Sequence, residues 1–223
     1  ARYKIFESLL DTNDQILLAH HRDDVFETLL LRLFRGTGVD GLSGLSEKRS
    51  LGKGEILRPF LNSPKSDLKI YIDENELAYV EDDTNSNNNF DRNFLRNEIV
   101  PSLETRWSKL SERAAFTSLT AKKKKLSLDF MLEKSFKKEI SSCIIEIVFF
   151  IEIPSFIIEE LIRLILRKKG IALPNQKVLS EIMSVFFNKK PSNETYVEWS
   201  RKDGEQIGGK VFSEHNNIIF KKK

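Results

Sequence analysis

The 223 residues carry 36 Lys and Arg against 33 Asp and Glu, a formal net charge of +3. That length suits one large domain or two small ones, and so mild a charge excludes any argument for a nucleic-acid partner from the total alone. A single cysteine, Cys143, excludes an internal disulfide framework and a paired-cysteine metal or redox site, and fits a reducing, cytoplasmic setting.

The chain opens at Ala1 in what reads as a helix already under way, so a piece of a longer protein is expected. In chain order, the pattern predicts a helix at 3–10, a strand at 15–19, a helix at 24–35, a loop with Gly36, Gly38, Gly41 and Gly44, and a strand at 55–58. This is an α/β alternation. Residues 63–121 read as mostly helical, opening on a Ser63 cap with Pro64 in the first turn and interrupted by the polar loop "EDDTNSNNNFD". A basic helical segment begins at Lys122, and an apolar run from Cys143 to Ile158 follows. Glu146, Glu152 and Pro154 break that run, so it falls short of the roughly 18 residues of a membrane span and reads as core. A helix pair at 155–188 precedes small antiparallel strands, with turns expected at Asp203-Gly204 and Gly208-Gly209. The simplest division is 1–121, a linking region at 122–154, and a small α+β domain at 155–223.

Two stretches carry chemistry. In "HHRDDVFET", Phe26, Leu29, Leu30, Leu33 and Phe34 recur at helical spacing, which leaves His20, His21, Arg22, Asp23 and Asp24 in a strand-to-helix turn. Such turns lie at the carboxyl edge of a sheet, where open α/β folds bind ligands. Asp24 and Glu27 stand three apart and read as a capping box with Asp24 as the cap. Asp23 and Asp24 also read as a carboxylate pair for Mg²⁺, whereas zinc is disfavoured because His20 and His21 are adjacent and no cysteine is near.

In "FDRNFLRNEIVP", Asp91 can cap a helix on which Arg92 and Arg96 stand four apart, with Asn93 and Asn97 alongside and Phe94, Leu95 and Ile99 packing inward. Two guanidinium forks on one face suit phosphate or carboxylate recognition. The plain alternative is a solvated helix with paired charges. On either reading Arg92 and Arg96 lie on the polar face, and replacing Arg96 should change stability by no more than about 0.5 kcal/mol.

Together with "ILRPFLNSPK" and the acidic "EDDTN", these segments resemble the bacterial tRNA(Ile)-lysidine synthetases of the PP-loop ATP pyrophosphatase group, strongly over about 1–110 and more weakly over 155–223. The resemblance implies an adenine nucleotide alpha hydrolase-like parallel-sheet domain, its carboxyl-side part lying at 1–121, followed by helices and a small α+β tRNA-binding domain. It implies a two-step ligation: ATP adenylates the wobble cytidine of an isoleucine tRNA with a CAU anticodon, and free L-lysine displaces AMP to leave lysidine. Asp23, Asp24 and Arg96 match catalytic positions, with Asp23 and Asp24 also placed to hold Mg²⁺. His20, His21 and Glu27 would line the ATP side, and Arg92, Arg96, Lys168 and Lys169 would contact tRNA. A homodimer is compatible with it, and no membrane partner is implied. The family's SGGxDS loop occurs nowhere in the sequence, so the 223 residues alone are expected to be inactive. Two rival readings stand beside this one. The first is a non-catalytic tRNA-binding module using Lys122 to Lys125, Lys137, Lys138, Lys168, Lys169 and Lys221 to Lys223. The second is another PP-loop tRNA-modifying enzyme.

Overall fold

The computed structural model describes residues 2–150, 152–188, 192, 195–200 and 207–223. The chain divides into two compact units, Ala1–Ser127 and Leu128–Lys223.

In the first unit, helix α1 (Arg2–Leu9) precedes strand β1 (Gln15–Leu17), helix α2 (Arg22–Phe34) and the short α3 (Val39–Leu42). Strands β2 (Lys48–Leu51) and β3 (Gly54–Leu57) form a hairpin, turned at Gly52 with φ +56°. The sheet order is β1-β3-β2, with β1 parallel and β2 antiparallel to β3. This is the expected α/β fold with a parallel strand pair. The strand β2 was not expected, because its "KRSL" is polar and only Leu51 is buried. Central Ile56 is fully buried and packs with Leu10 and Leu51, flanked by Tyr3, Phe6, Ile16 and Leu18. A separate cluster joins Phe26, Leu29 and Ala114. Leu33 and Phe34, expected on the same buried face of α2, are exposed.

Beyond the sheet come α4 (Lys65–Glu74), a 3-10 turn (Asp83–Ser86), α5 (Asp91–Phe94), a π turn (Leu95–Ile99), α6 (Val100–Arg106) and the long α7 (Leu110–Ser135). Two expected caps are corrected. Helix α4 is not capped by Ser63: Pro64 holds the cap position, and the Lys65 N–H donates instead to Asp23 Oδ2 at 2.8 Å. Helix α2 begins with His21 as its cap residue, and Asp24, three residues in, accepts the His21 N–H at 2.8 Å. Asp24 is therefore the inner acid of the first turn, not the cap.

The second unit adds α8 (Lys137–Ser142), β4 (Ile144–Glu146), α9 (Ser155–Lys168), α10 (Gln176–Phe186), β5 (Tyr196–Trp199), β6 (Gly209–Glu214) and β7 (Asn217–Lys222). Its sheet is antiparallel in the order β4-β7-β6-β5, so a strand from the 122–154 stretch pairs with the last strand of the chain. One core holds Ile145, Leu161, Ile162, Ile165, Leu166, Leu179, Ile182, Phe186, Val211 and Ile218, all fully buried. The β6–β7 turn lies at His215 and Asn216, both with positive φ as a two-residue hairpin requires, and not at Gly208-Gly209. Gly209 opposes Trp199 in the ladder, where an added Cβ would run into the indole ring, so this glycine serves close packing. The Asp203-Gly204 turn lies outside the described residues. Among the described residues no helix is long and apolar enough to cross a membrane.

Candidate functional site

Parallel pairing of β1 with β3 ends at Leu17 and Leu57, and Leu18 N–H still donates to Leu57 O at 2.9 Å. The chain leaves this carboxyl edge through His20 and turns directly into α2, whose first turn carries Asp23 and Asp24. Glu27 follows one turn later on the same face as Asp24. Both acids are buried, Asp24 at 8% exposure and Glu27 at 3%. Burial on that scale costs several kcal/mol per charge unless each carboxylate is paired and its lone pairs are filled.

The partners come from the "DRNFLRN" segment, which begins 64 residues after Glu27. Arg92 Nε donates to Glu27 Oε2 at 2.7 Å and its Nη2 to Asp24 Oδ1 at 2.8 Å. Arg96 Nε donates to Glu27 Oε1 at 2.6 Å, and its Nη2 to Glu27 Oε2 at 2.9 Å and Asp24 Oδ1 at 3.2 Å. Two guanidiniums thus balance two carboxylates, with Arg96 bidentate on Glu27. The Glu27 hydrogen bonds, ahead of burial, hold the Arg96 guanidinium above its ordinary pKa. The expectation of solvated arginines on a polar face is corrected: Arg92 and Arg96 pin α5 and the π turn to α2. The bonds use Nε and Nη2 of each fork and leave Nη1 outside the network.

The repeated Arg-Asn pairs divide the work. While the arginines reach α2, Asn93 Nδ2 donates to Thr84 O at 2.7 Å and Asn87 O at 3.0 Å. Asn97 Nδ2 donates to Asn85 O at 2.9 Å and Asn88 Oδ1 at 2.8 Å. The acidic, Asn-rich loop is therefore laced to the arginine helix, and Asp82 caps its 3-10 turn through Thr84 N–H at 2.9 Å. Leu95 is buried, but Phe94, expected inward, is exposed. In the π turn Val100 N–H donates to Leu95 O, five residues back, just before Pro101, which has no N–H to give.

Asp23 stands apart from this network. Its Oδ2 accepts Lys65 N–H and lies 3.4 Å from His21 Nδ1. The His21 contact, opposed by burial and aided by the Lys65 N–H, holds the carboxyl down at about 2. His21 is also 3.5 Å from Asp24 through Nε2. The expected Mg²⁺ pair does not fit: Asp24 Oδ1 serves two arginines and its Oδ2 serves a backbone N–H, so a cation there would displace both. Among the described residues no group of three His, Cys, Asp or Glu side chains is gathered for a metal. Asp23 alone has a partly exposed carboxylate near the turn.

Lys168 and Lys169 lie in the second unit with internal partners, Lys168 Nζ 2.7 Å from Glu133 and Lys169 Nζ donating to Ser141 O at 3.1 Å. Sequence reasoning gave no role to Arg32 and Arg58. Arg32 Nη1 donates to Gly41 O at 2.8 Å and Gly44 O at 2.9 Å, which secures the glycine loop. Arg58, buried at 5% exposure, donates to Ser46 O at 2.8 Å. A lone arginine after a strand gives no sequence signal of the carbonyls that it will meet.

Residues 1–103 match the family described as a PP-loop domain. Over 221 residues the chain is 34% identical to the tRNA(Ile)-lysidine synthase of Coxiella burnetii, an alignment covering 97% of this chain and 49% of that protein. It is 33% identical over 223 residues to the tRNA(Ile)-lysidine synthase of Legionella pneumophila strain Paris, covering 98% and 50%. With the Pseudomonas fluorescens protein of the same name identity rises to 45%, over 107 residues that cover 48% and 24%. The chain spans about half the length of the first two relatives.

Proposed function

Residues 1–103 belong to the PP-loop domain family and the chain as a whole is homologous to the tRNA(Ile)-lysidine synthases; from that premise we propose that it is part of an ATP-dependent enzyme forming lysidine in tRNA(Ile). In this reading the carbonyl oxygen of the wobble cytidine takes the adenylyl group of ATP in the cytoplasm with release of pyrophosphate, and the amine of free L-lysine then displaces AMP. The observation that supports it most is the four-charge cluster of Asp24, Glu27, Arg92 and Arg96, which joins the two segments carrying the family resemblance into one site.

Each residue then has a distinct task. Glu27 and Asp24 fix the planes of both guanidiniums, so that Nη1 of Arg92 and Arg96 can meet a phosphate or the cytidine without reorganising. His20 and His21 border the nucleotide at the end of β1. Asp23 orients the incoming amine, since a carboxyl held near pH 2 stays charged at neutral pH. The chain's own contribution to a Mg²⁺ carried on ATP is confined to Asp23. Lys168 and Lys169 keep ammonium donors beyond their present contacts for tRNA phosphates.

No SGGxDS stretch occurs in the sequence, so we assign the complete reaction to a polypeptide that includes one. Fusing the amino-terminal segment of a relative ahead of Ala1 tests the assignment. Lysine-dependent AMP formation, with lysine incorporated into tRNA(Ile), is expected. ATP turnover indifferent to lysine would overturn it in favour of another PP-loop chemistry, and tRNA binding with no turnover would favour a binding module.

A further inference from the structure

The four-stranded sheet of the second unit turns one face to the α9–α10 core and the other outward. Alternation along β5 buries Val197 and Trp199 and exposes Tyr196 and Glu198. The ladder aligns the outward residues in three rows, of which the outermost, Glu214, Asn217 and Glu146, is acidic and lies beside the first of the other two. Tyr196 opposes Phe212, Phe212 opposes Ile219, and Ile219 opposes Ile144. Two residues along, Glu198 opposes Lys210 and Lys210 opposes Lys221. A row that begins with two aromatic rings and ends in two isoleucines therefore lies between a lysine-bearing row and an acidic one on an outward sheet face.

The lysines lean over the rings. Lys210 Nζ is 4.1 Å from the Tyr196 ring centroid, and Lys221 Nζ is 5.0 Å from that of Phe212. Cross-strand like charges are unfavourable, and Lys210 and Lys221 sit directly opposite one another. The compensation is thin: Glu198 is shared between Lys210 at 3.3 Å and Lys223 at 2.8 Å, and among the described residues Lys221 has no carboxylate partner. At this end of the face, away from Glu214 and Glu146, three ammonium groups thus meet one carboxylate beside a tyrosine that is 57% exposed. An apolar partner would leave that charge unanswered, and an acidic protein surface would leave the rings unused. An anionic ligand with flat faces answers both features.

We propose that this face binds unpaired RNA, with two successive bases stacked on Tyr196 and Phe212 and their phosphates on Lys210 and Lys221. Antiparallel sheets that read RNA stack two or three bases on outward aromatics in this manner, and a duplex, its bases already stacked on one another, cannot use the rings. The proposal rests on the tRNA reading only for the source of the RNA, a loop or a single-stranded end. The stacking itself requires neither ATP nor lysine.

The test is direct titration of the 223-residue chain into a labelled single-stranded oligoribonucleotide, chosen within the roughly 4–16 nucleotides such surfaces occupy. Tyr196→Leu and Phe212→Leu should each weaken binding at least about fivefold, the low end for loss of one base stack. Tyr196→Phe, which keeps the ring, should bind like the parent. Lys221→Gln should weaken binding and lower the salt slope by about 0.7. Thermal melts confirm that each variant is folded, and Tyr196→Leu, at an exposed position, keeps the test open if Phe212→Leu is not. Equal affinity for a duplex of the same sequence, or parental affinity in folded Tyr196→Leu, would overturn the proposal and leave only a basic surface. Because no turnover is measured, failure of the lysidine assignment would leave this result standing.

Discussion

Arg96 and Glu27 form a bidentate pair, Nε to Oε1 at 2.6 Å and Nη2 to Oε2 at 2.9 Å, between a side chain that is 28% exposed and one that is 4% exposed. The asymmetry fixes what each substitution does. Arg96→Ala leaves Glu27 buried with Arg92 as its remaining cation, and loss of one partner from a buried pair costs about 3 kcal/mol or more. The melting temperature should fall by several degrees, well beyond a surface change. Arg96→Lys keeps the charge but not the fork, and should fall between Arg96→Ala and the parent. A melt of Arg96→Ala indistinguishable from the parent's would mean that the cluster contributes no stability.

The two asparagines give a local readout. Asn93→Ala removes the donor that joins Thr84 O and Asn87 O, and each lost hydrogen bond is worth about 1 kcal/mol. That is enough to open an exposed loop and too little to unfold the unit. Limited proteolysis within 81–91 should accelerate several-fold, while the melting temperature moves by only a few degrees. Unchanged cleavage would show that the Asn-rich loop is held by something other than Asn93.

What was legible in the sequence was local. The periodicity of Phe26, Leu29 and Leu30 placed α2, and the apolar Ile16 and Ile56 placed β1 and β3. The spacing of Arg92 and Arg96 showed that they share a face, but not that the face meets Asp24 and Glu27. Four complementary charges at helical spacing on two helices were the available signal, weak because solvated pairs follow the same spacing. The cap of α4 was illegible for a stronger reason. Asp23 lies 42 residues before Lys65, so only the tertiary fold joins them. At the other end, the doubled glycine suggested a turn, while the reversal fell on His215 and Asn216, where the side chains of Ile218 and Phe220 must stay in register with the core.

Gly209→Ala tests that packing. A methyl group there would meet the Trp199 indole, whose Nε1 donates to Ala172 O, and the small helix-backed sheet has no slack to receive it. A destabilisation of about 1–3 kcal/mol is expected. A shift in tryptophan fluorescence should accompany it, since Trp199 is buried and must move. Parental emission and stability in Gly209→Ala would contradict the close approach.

Asp23 predicts a pH dependence with a definite sign. Its carboxyl is depressed from 3.8 to about 2 in the folded chain, so the folded state binds fewer protons than the unfolded state between those values. The contribution is fully present above about pH 4 and is lost as pH falls through about 2. With the side chain 35% exposed, solvent screening reduces it to about 1 kcal/mol. In urea unfolding at pH 2 to 5, Asp23→Asn should be less stable than the parent at pH 5, and the difference should vanish towards pH 2. A difference constant across that range would mean that charge on Asp23 does not stabilise the turn.

In the enzyme completed at its amino end, the roles proposed for the two acids of this turn can be told apart. Asp24 spends both oxygens on Arg92, Arg96 and the His21 N–H, whereas Asp23 has a partly exposed carboxylate. Asp24→Asn keeps the shape but removes the charge that the two guanidiniums share. The turnover rate and the melting temperature should both drop, because the arginine planes lose one of their two anchors. The Mg²⁺ concentration giving half-maximal rate should stay at the parental value, since no ion has been deprived of a ligand. A directly ligating carboxylate would behave differently: its loss should raise the Mg²⁺ requirement by about tenfold or more, as even outer-shell changes do at metal sites. Titrating Mg²⁺ against the residual rate of Asp24→Asn decides between them, and a shifted requirement with an unshifted melt would put the metal on Asp24.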